Sequence, residues 1–64
     1  MKLYNEQGNE VKIGDVIVSF RGESAIVTGL EPPRYTHQSG YVSVRFDTGE
    51  VGRYYASVFD CEFH

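Results

Sequence analysis

The ten residues from Tyr41 to Glu50 read YVSVRFDTGE, and they decide the fold of this chain. Every second residue from Val42 to Phe46 is apolar, a period of two that indicates a strand with one buried face. The sequence Asp47-Thr48-Gly49 follows directly and favours a tight hairpin loop with Gly49 in the left-handed conformation. The stretch therefore predicts a strand, a tight turn and a returning strand.

The same loop predicts the register of the returning strand. Pairing Phe46 with Glu50 places Ser43 opposite Arg53, so that Arg45 and Arg53 both point outward. A shift of one residue would bury Arg53 in the core, which is costly without a partner. The predicted outer face of this hairpin carries tyrosines and arginines: Tyr41, Ser43, Arg45, Arg53 and Tyr55.

Glycine and proline divide the rest of the chain into short segments that favour β-structure. The chain has 7 Gly and 2 Pro, and the runs between them are rich in Val, Ile, Phe and Tyr. Residues 2–13 suit a short extra hairpin that turns at Gly8. The other predicted elements are strands over 15–20 and 24–30, a long loop over 31–40, the hairpin above, a helical turn over 55–58 and a last strand over 61–63.

These elements predict an all-β fold for a single domain over residues 1–64. We expect five strands, with one short helical turn before the last. Valines at alternate positions predict which side chains fill the core, and Phe20 shares the face of Val16 and Val18. The predicted core is Val16, Val18, Ala25, Val27, Val42, Val44, Phe46, Tyr54, Val58 and Phe63.

Composition narrows the class of protein. The chain of 64 residues is 41% hydrophobic and 23% charged, which is too apolar for a disordered tail. No apolar run approaches the ~20 residues of a membrane span, and the polar residues after Leu3 do not resemble a secretory signal. The single Cys61 cannot form an internal disulfide, so we expect a cytoplasmic location. A net charge of −3 argues against non-specific binding of polyanions.

Two stretches resemble the hairpins of a known class of small barrels. Gly14-Asp15-Val16-Ile17-Val18 with Ala25-Ile26-Val27-Thr28-Gly29 resembles the opening hairpin of Tudor-, KOW- and SH3-type barrels. Val44-Arg45-Phe46-Asp47-Thr48-Gly49-Glu50-Val51 is similar to the hairpin that recurs in Tudor-like barrels. Together they cover residues 14 to about 59, and the resemblance implies a five-stranded SH3-like barrel. The segment Tyr55-Ala56-Ser57-Val58-Phe59 is also similar to the tail of small phage and prophage proteins of unassigned role.

The residues offer little to catalysis or metal binding. Cys61 and His64 are the only thiol and imidazole close in sequence, and no orienting group or oxyanion site accompanies them. Cys61 is better explained as a small core residue. With His37, these are too few ligands for a structural zinc site. We therefore expect a non-catalytic protein without metal or cofactor.

Binding is the remaining class of function. Tyrosine and arginine are enriched at protein interfaces, so we expect a protein partner that contacts Tyr41, Arg45, Arg53 and Tyr55, with Arg34 and Tyr35 from the loop. The alternative is single-stranded RNA or DNA, whose bases would stack on the tyrosines. A Tudor-type aromatic cage for methylated side chains is a third reading. We expect a monomer or a weak homodimer. In a homodimer, the strand at the open edge of the sheet would pair with its copy.

Overall fold

A computed structural model describes residues 1–35 and 38–64 of the chain. Within these ranges the protein has seven strands, one 3₁₀ turn and no α-helix. No helix in the described ranges is long and apolar enough to cross a membrane. The strands are β1 (Leu3–Tyr4), β2 (Glu10–Val11), β3 (Val16–Val18), β4 (Ser24–Glu31), β5 (Tyr41–Phe46), β6 (Val51–Tyr55) and β7 (Glu62–Phe63), and the 3₁₀ turn spans Ala56–Phe59.

The strands form two antiparallel sheets rather than one closed ring. The small sheet has the order β2-β1-β7, and the large sheet has the order β3-β4-β5-β6. Backbone hydrogen bonds of 2.8 and 2.9 Å between Lys2 and His64 join the two ends of the chain. The prediction of an all-β fold is confirmed. The predicted number of five strands is wrong, because the strands of the N-terminal hairpin, β1 and β2, form a sheet with β7 and bring the number to seven.

The hairpin of β5 and β6 has the predicted register. The N–H of Phe46 donates to the carbonyl of Glu50 at 2.8 Å, and Ser43 lies opposite Arg53. Gly49 has a φ of 90°, the left-handed conformation that its place in the loop requires. The predicted helical turn and last strand are also present, as the 3₁₀ turn and β7.

The core lies between the two sheets, and side chains from both of them fill it. Of the predicted core residues, Ala25, Val27, Val42, Val44 and Phe63 are buried. Phe46, Tyr54 and Val58 are partly buried and pack against them. Of the other buried apolar side chains, only Cys61 was expected in the core, and most come from the small sheet and the 3₁₀ turn: Leu3, Val11, Ile17, Ala56, Phe59 and Cys61.

The prediction that Val16 and Val18 lie in the core is wrong. Their side chains are 64% and 50% exposed, whereas Ile17 between them is buried. Residues directly opposite each other in an antiparallel pair share a face. Because Val18 pairs with Ser24 and Ile17 pairs with Ala25, Val18 and Ala25 cannot both point inward. The strand alternates as predicted, but the opposite set of side chains faces the core.

Ser19 continues the buried face of β3 although it is polar. Its hydroxyl oxygen accepts the N–H groups of Arg21 and Glu23, each at 3.2 Å. These bonds satisfy the buried oxygen and close the turn to β4. Phe20 lies in this turn and is 69% exposed, contrary to its expected place beside the core.

Candidate functional site

The side of the large sheet that faces away from the core carries most of the residues predicted to bind a partner. We call it the outer face. Tyr41 and Ser43 are half-buried there, and the other members are exposed. The outer face consists of Val16, Val18, Ser24, Ile26, Glu31, Tyr41, Ser43, Arg45, Val51, Arg53 and Tyr55.

Four residues at one end of the outer face form a connected cluster. The rings of Tyr41 and Tyr55 stack with their centroids 4.8 Å apart. The guanidinium carbon of Arg53 lies 3.8 Å from the centroid of the Tyr41 ring. Nε and Nη2 of Arg53 donate to one carboxylate oxygen of Glu31 at 2.9 and 2.6 Å. We call Glu31, Tyr41, Arg53 and Tyr55 the aromatic cluster.

The electrostatics of the aromatic cluster follow from these contacts. The hydrogen bonds from Arg53 lower the pKa of the Glu31 carboxyl, and the charge of Arg34 acts in the same direction. The same bonds raise the pKa of Arg53. A side-chain hydrogen bond with Tyr55 raises the pKa of the Tyr41 phenol. Glu31 therefore balances the charge of Arg53, and the cluster has no net charge at neutral pH.

A row of mostly apolar side chains crosses the other half of the outer face. Val16 lies opposite Ile26, Ile26 opposite Arg45, and Arg45 opposite Val51, so the row spans all the strands of the large sheet. Val16 and Val51 are 64% and 70% exposed, and Ile26 is 41% exposed. Arg45 forms no ion pair within the described residues. We call Val16, Ile26, Arg45 and Val51 the apolar row.

The residues predicted from the long loop line two grooves. Arg34 lines a groove next to the aromatic cluster, together with Glu31, Tyr41 and Arg53. Tyr35 lines a different groove, beside Met1 and Phe63 at the small sheet. His37 lies outside the described residues. Arg34 also lines the groove of Tyr35. The structure thus places Arg34 beside Tyr41 and Arg53, and Tyr35 is not among the residues that line their groove.

The aromatic rings do not converge on one cage. Tyr54 points to the opposite side of the sheet from Tyr55 and packs edge-on against Phe46 and Phe59. Phe20 stands in the turn between β3 and β4, with the guanidinium of Arg21 over its ring. Tyr41 and Tyr55 contact each other, but their rings are stacked and leave no space for a methylated side chain between them.

Cys61 is a core residue, as expected. It is 2% exposed, and its thiol donates to the carbonyl oxygen of Phe59 at 3.3 Å. Burial raises the pKa of this thiol, and the charges of Asp60 and Glu6 add to the effect. Such surroundings are the reverse of those that activate a nucleophilic cysteine. Nε2 of His64 lies 3.3 Å from a carboxylate oxygen of Glu62 on the surface. Residues 1–35 and 38–64 contain no group of three or more potential metal ligands.

Comparison with known proteins gives no match to a protein family, to a curated protein or to a solved structure.

Two parts of the outer face were not predicted from the sequence. The partner of Arg53 was not predicted, because Glu31 is recognised only when the pairing of β4 with β5 places it opposite Tyr41. Val16 was predicted in the core but lies on the surface. The register of the β3–β4 turn, in which Ser19 pairs with Glu23, would have revealed that error.

Proposed function

We propose that this protein is a non-catalytic binding module that docks a partner protein on the outer face of its large sheet. The observation that carries the proposal is the apolar row, in which exposed valine and isoleucine side chains flank a single arginine. Contiguous apolar side chains on a small soluble domain mark interaction sites, since their exposure to water is unfavourable. Tyr55 and Tyr41 extend the same surface with the residue type most common at interface hot spots.

Arg45 gives this surface its specificity. The arginine is exposed between Ile26 and Val51, so a partner that covers the row must also accommodate the guanidinium. A carboxylate of the partner would meet this need with a bidentate hydrogen bond. Arg53 has a different role, because Glu31 already accepts its hydrogen bonds. It positions the Tyr41 ring rather than contacting the partner's charge.

Single-stranded RNA or DNA is the alternative ligand, and the aromatic cluster supports it less well. Base stacking needs a free ring face. The ring of Tyr41 is already in contact with the stacked ring of Tyr55 and with the guanidinium of Arg53. The charge available to phosphates is also reduced, since Glu31 balances that of Arg53.

We also propose that the fold is related to the SH3-like barrels. The order of elements supports it: a hairpin of β3 and β4, a long loop, a tight hairpin of β5 and β6, and a 3₁₀ turn before β7. The single buried thiol supports a reducing, cytoplasmic compartment as part of the same proposal.

Site-specific photocrosslinking tests the proposed function. A photoreactive phenylalanine analogue replaces Val51, whose side chain is 70% exposed in the apolar row. The matched control carries the analogue at Glu62, whose side chain is 80% exposed on the small sheet. We expect irradiation in the native cells to attach a defined protein at position 51 and not at position 62.

The variant Arg45→Glu is then combined with the analogue at position 51. We expect it to abolish the adduct, because the reversed charge repels a carboxylate that Arg45 would bind. Circular dichroism should report an unchanged fold, since Arg45 is exposed. If nuclease removes the adduct, the crosslinked partner is a nucleic acid and the proposal of a protein partner is wrong. Equal adducts at both positions would overturn the proposed surface.

A further inference from the structure

The free edge of β3 is a second surface, where backbone N–H and C=O groups are available to bind another strand. The N–H of Ser19 donates to Glu23, and the N–H of Val27 donates to Asp15, so residues 15, 17 and 19 bond to β4. Antiparallel strands bond to one neighbour through every second residue. The N–H and C=O groups of Val16 and Val18 therefore point away from β4, toward the open side of the sheet.

One end of this edge is already occupied. The N–H of Phe20 points the same way as those of Val16 and Val18, and it donates to the carbonyl of Val58 at 3.0 Å. Within the described residues, no hydrogen bond from another element reaches the backbone of Val16 or Val18. An uncovered edge of this kind is a template for a further strand.

A groove of about 380 Å³ runs along the free edge. One wall is β3 from Val16 to Ser19, and the other consists of residues 5–7 and Asp60, with Phe59 and Cys61 also lining the groove. Two of the residues that line this groove, Glu6 and Asp60, carry carboxylates. The edge strand thus faces a wall of negative charge.

We propose that the edge of β3 binds an extended peptide segment of a partner protein in which apolar and basic residues alternate. Side chains of an added strand point alternately to the two faces of the sheet. Those on the outer face would lie beside the exposed side chains of Val16 and Val18. Those on the other face would point toward the carboxylates of Glu6 and Asp60, where lysine or arginine is favoured.

A single extended segment fits this groove better than a second copy of the chain. Every copy carries the wall of residues 5–7 and Asp60 beside its own β3 edge. Two copies would bring these walls and their like charges together before the strands could pair. The proposal goes beyond the function proposed for the outer face, because backbone groups and Glu6 and Asp60 carry it rather than Arg45 or Val51.

The test uses a synthetic peptide in which lysine and valine alternate, added to the full chain. NMR should report hydrogen exchange slowed at the amides of Val16 and Val18 and unchanged on the free edge of β6. A peptide with glutamate in place of lysine should bind at least about threefold more weakly, as should a peptide with the lysines and valines in separate blocks.

Two changes to the protein separate backbone pairing from charge. A synthetic chain with N-methylated Val18 loses a donor on the free edge without touching the bonds to β4, and we expect about a tenfold loss of affinity. The matched control, N-methylated Arg53, modifies the free edge of β6 and should bind normally. The double substitution Glu6→Gln and Asp60→Asn should weaken binding about threefold and reduce its dependence on salt.

The outcomes are distinct from those of the crosslinking experiment. Arg45→Glu should leave peptide binding unchanged, so either surface can fail without the other. No protection of Val16 and Val18 by the alternating peptide would overturn the proposal. If the amides of Val16 and Val18 become protected without peptide as the protein concentration rises, a second copy of the chain occupies the edge and the proposal is overturned. If the lysine and glutamate peptides bind equally well, the proposed preference for a basic partner is wrong.

Discussion

Arg45 and Arg53 show how far a single residue can be predicted from its position in a strand. Both were predicted to point outward, and both do. Their environments nevertheless differ, because Glu31 and the Tyr41 ring hold Arg53, whereas Arg45 stands among apolar side chains. Strand alternation determines the face of a residue. Alternation does not determine which residue of another strand becomes its partner. For Arg53 that partner is Glu31, and its position depends on how β4 pairs with β5.

The ion pair of Glu31 and Arg53 predicts a pH-dependent stability. Since the folded pKa of Glu31 lies below its ordinary value of 4.5, its carboxylate stabilises the fold above that pH. The contribution is lost as the pH falls through the folded pKa. We expect Glu31→Gln to lower the midpoint of urea unfolding at pH 6, and the difference from wild type to shrink below pH 4.5.

The control for this prediction is the same substitution in an Arg53→Gln background. There Glu31 has no guanidinium to accept from, so the pH-dependent difference should disappear. A difference that persists in that background would assign the effect to another neighbour, such as Arg34.

At the scale of elements, the register of a hairpin was predictable where its turn has a specific sequence. The register was mispredicted where the turn has no such sequence. Asp47-Thr48-Gly49 determines the register of β5 and β6, and therefore which of their side chains face outward. The turn between β3 and β4 has no equally specific sequence, and the parity of β3 was mispredicted. The strands β1 and β2 have two residues each, too few for a periodic pattern.

Paired substitutions in β3 test the corrected parity. Ile17→Thr places a hydroxyl in the core, and we expect it to lower the free energy of unfolding by about 2–3 kcal/mol. Val16→Thr keeps the preference for β-structure at an exposed position, and the change should stay within about 0.5 kcal/mol. Urea denaturation measures both. A larger effect at Val16 than at Ile17 would restore the original prediction.

At the scale of the whole molecule, one small core joins the two sheets. Phe63 of the small sheet belongs to the same buried cluster as Val42 and Val44 of the large sheet. A chain of this length has a stability of only about 3–5 kcal/mol, so opening one part is expected to open the rest.

Cys61 makes that opening measurable. We expect the thiol to react with a disulfide reagent on the order of 10²–10³-fold more slowly than a free cysteine, with a rate that rises as urea unfolds the protein. In the control, Cys61→Ala with Gln7→Cys, the exposed thiol should react at the rate of the free amino acid. Fast labelling of Cys61 without urea would mean that the C-terminal segment opens separately from the core.

The stacked phenols of Tyr41 and Tyr55 have an optical consequence. The protein contains no Trp, so its near-ultraviolet signal comes mainly from 5 Tyr and 4 Phe. Two chromophores with centroids 4.8 Å apart couple their electronic transitions and produce a circular dichroism band that isolated tyrosines lack. A ligand that binds at that end of the sheet and separates the two rings would change the intensity of this band, so its binding could be measured without an added label.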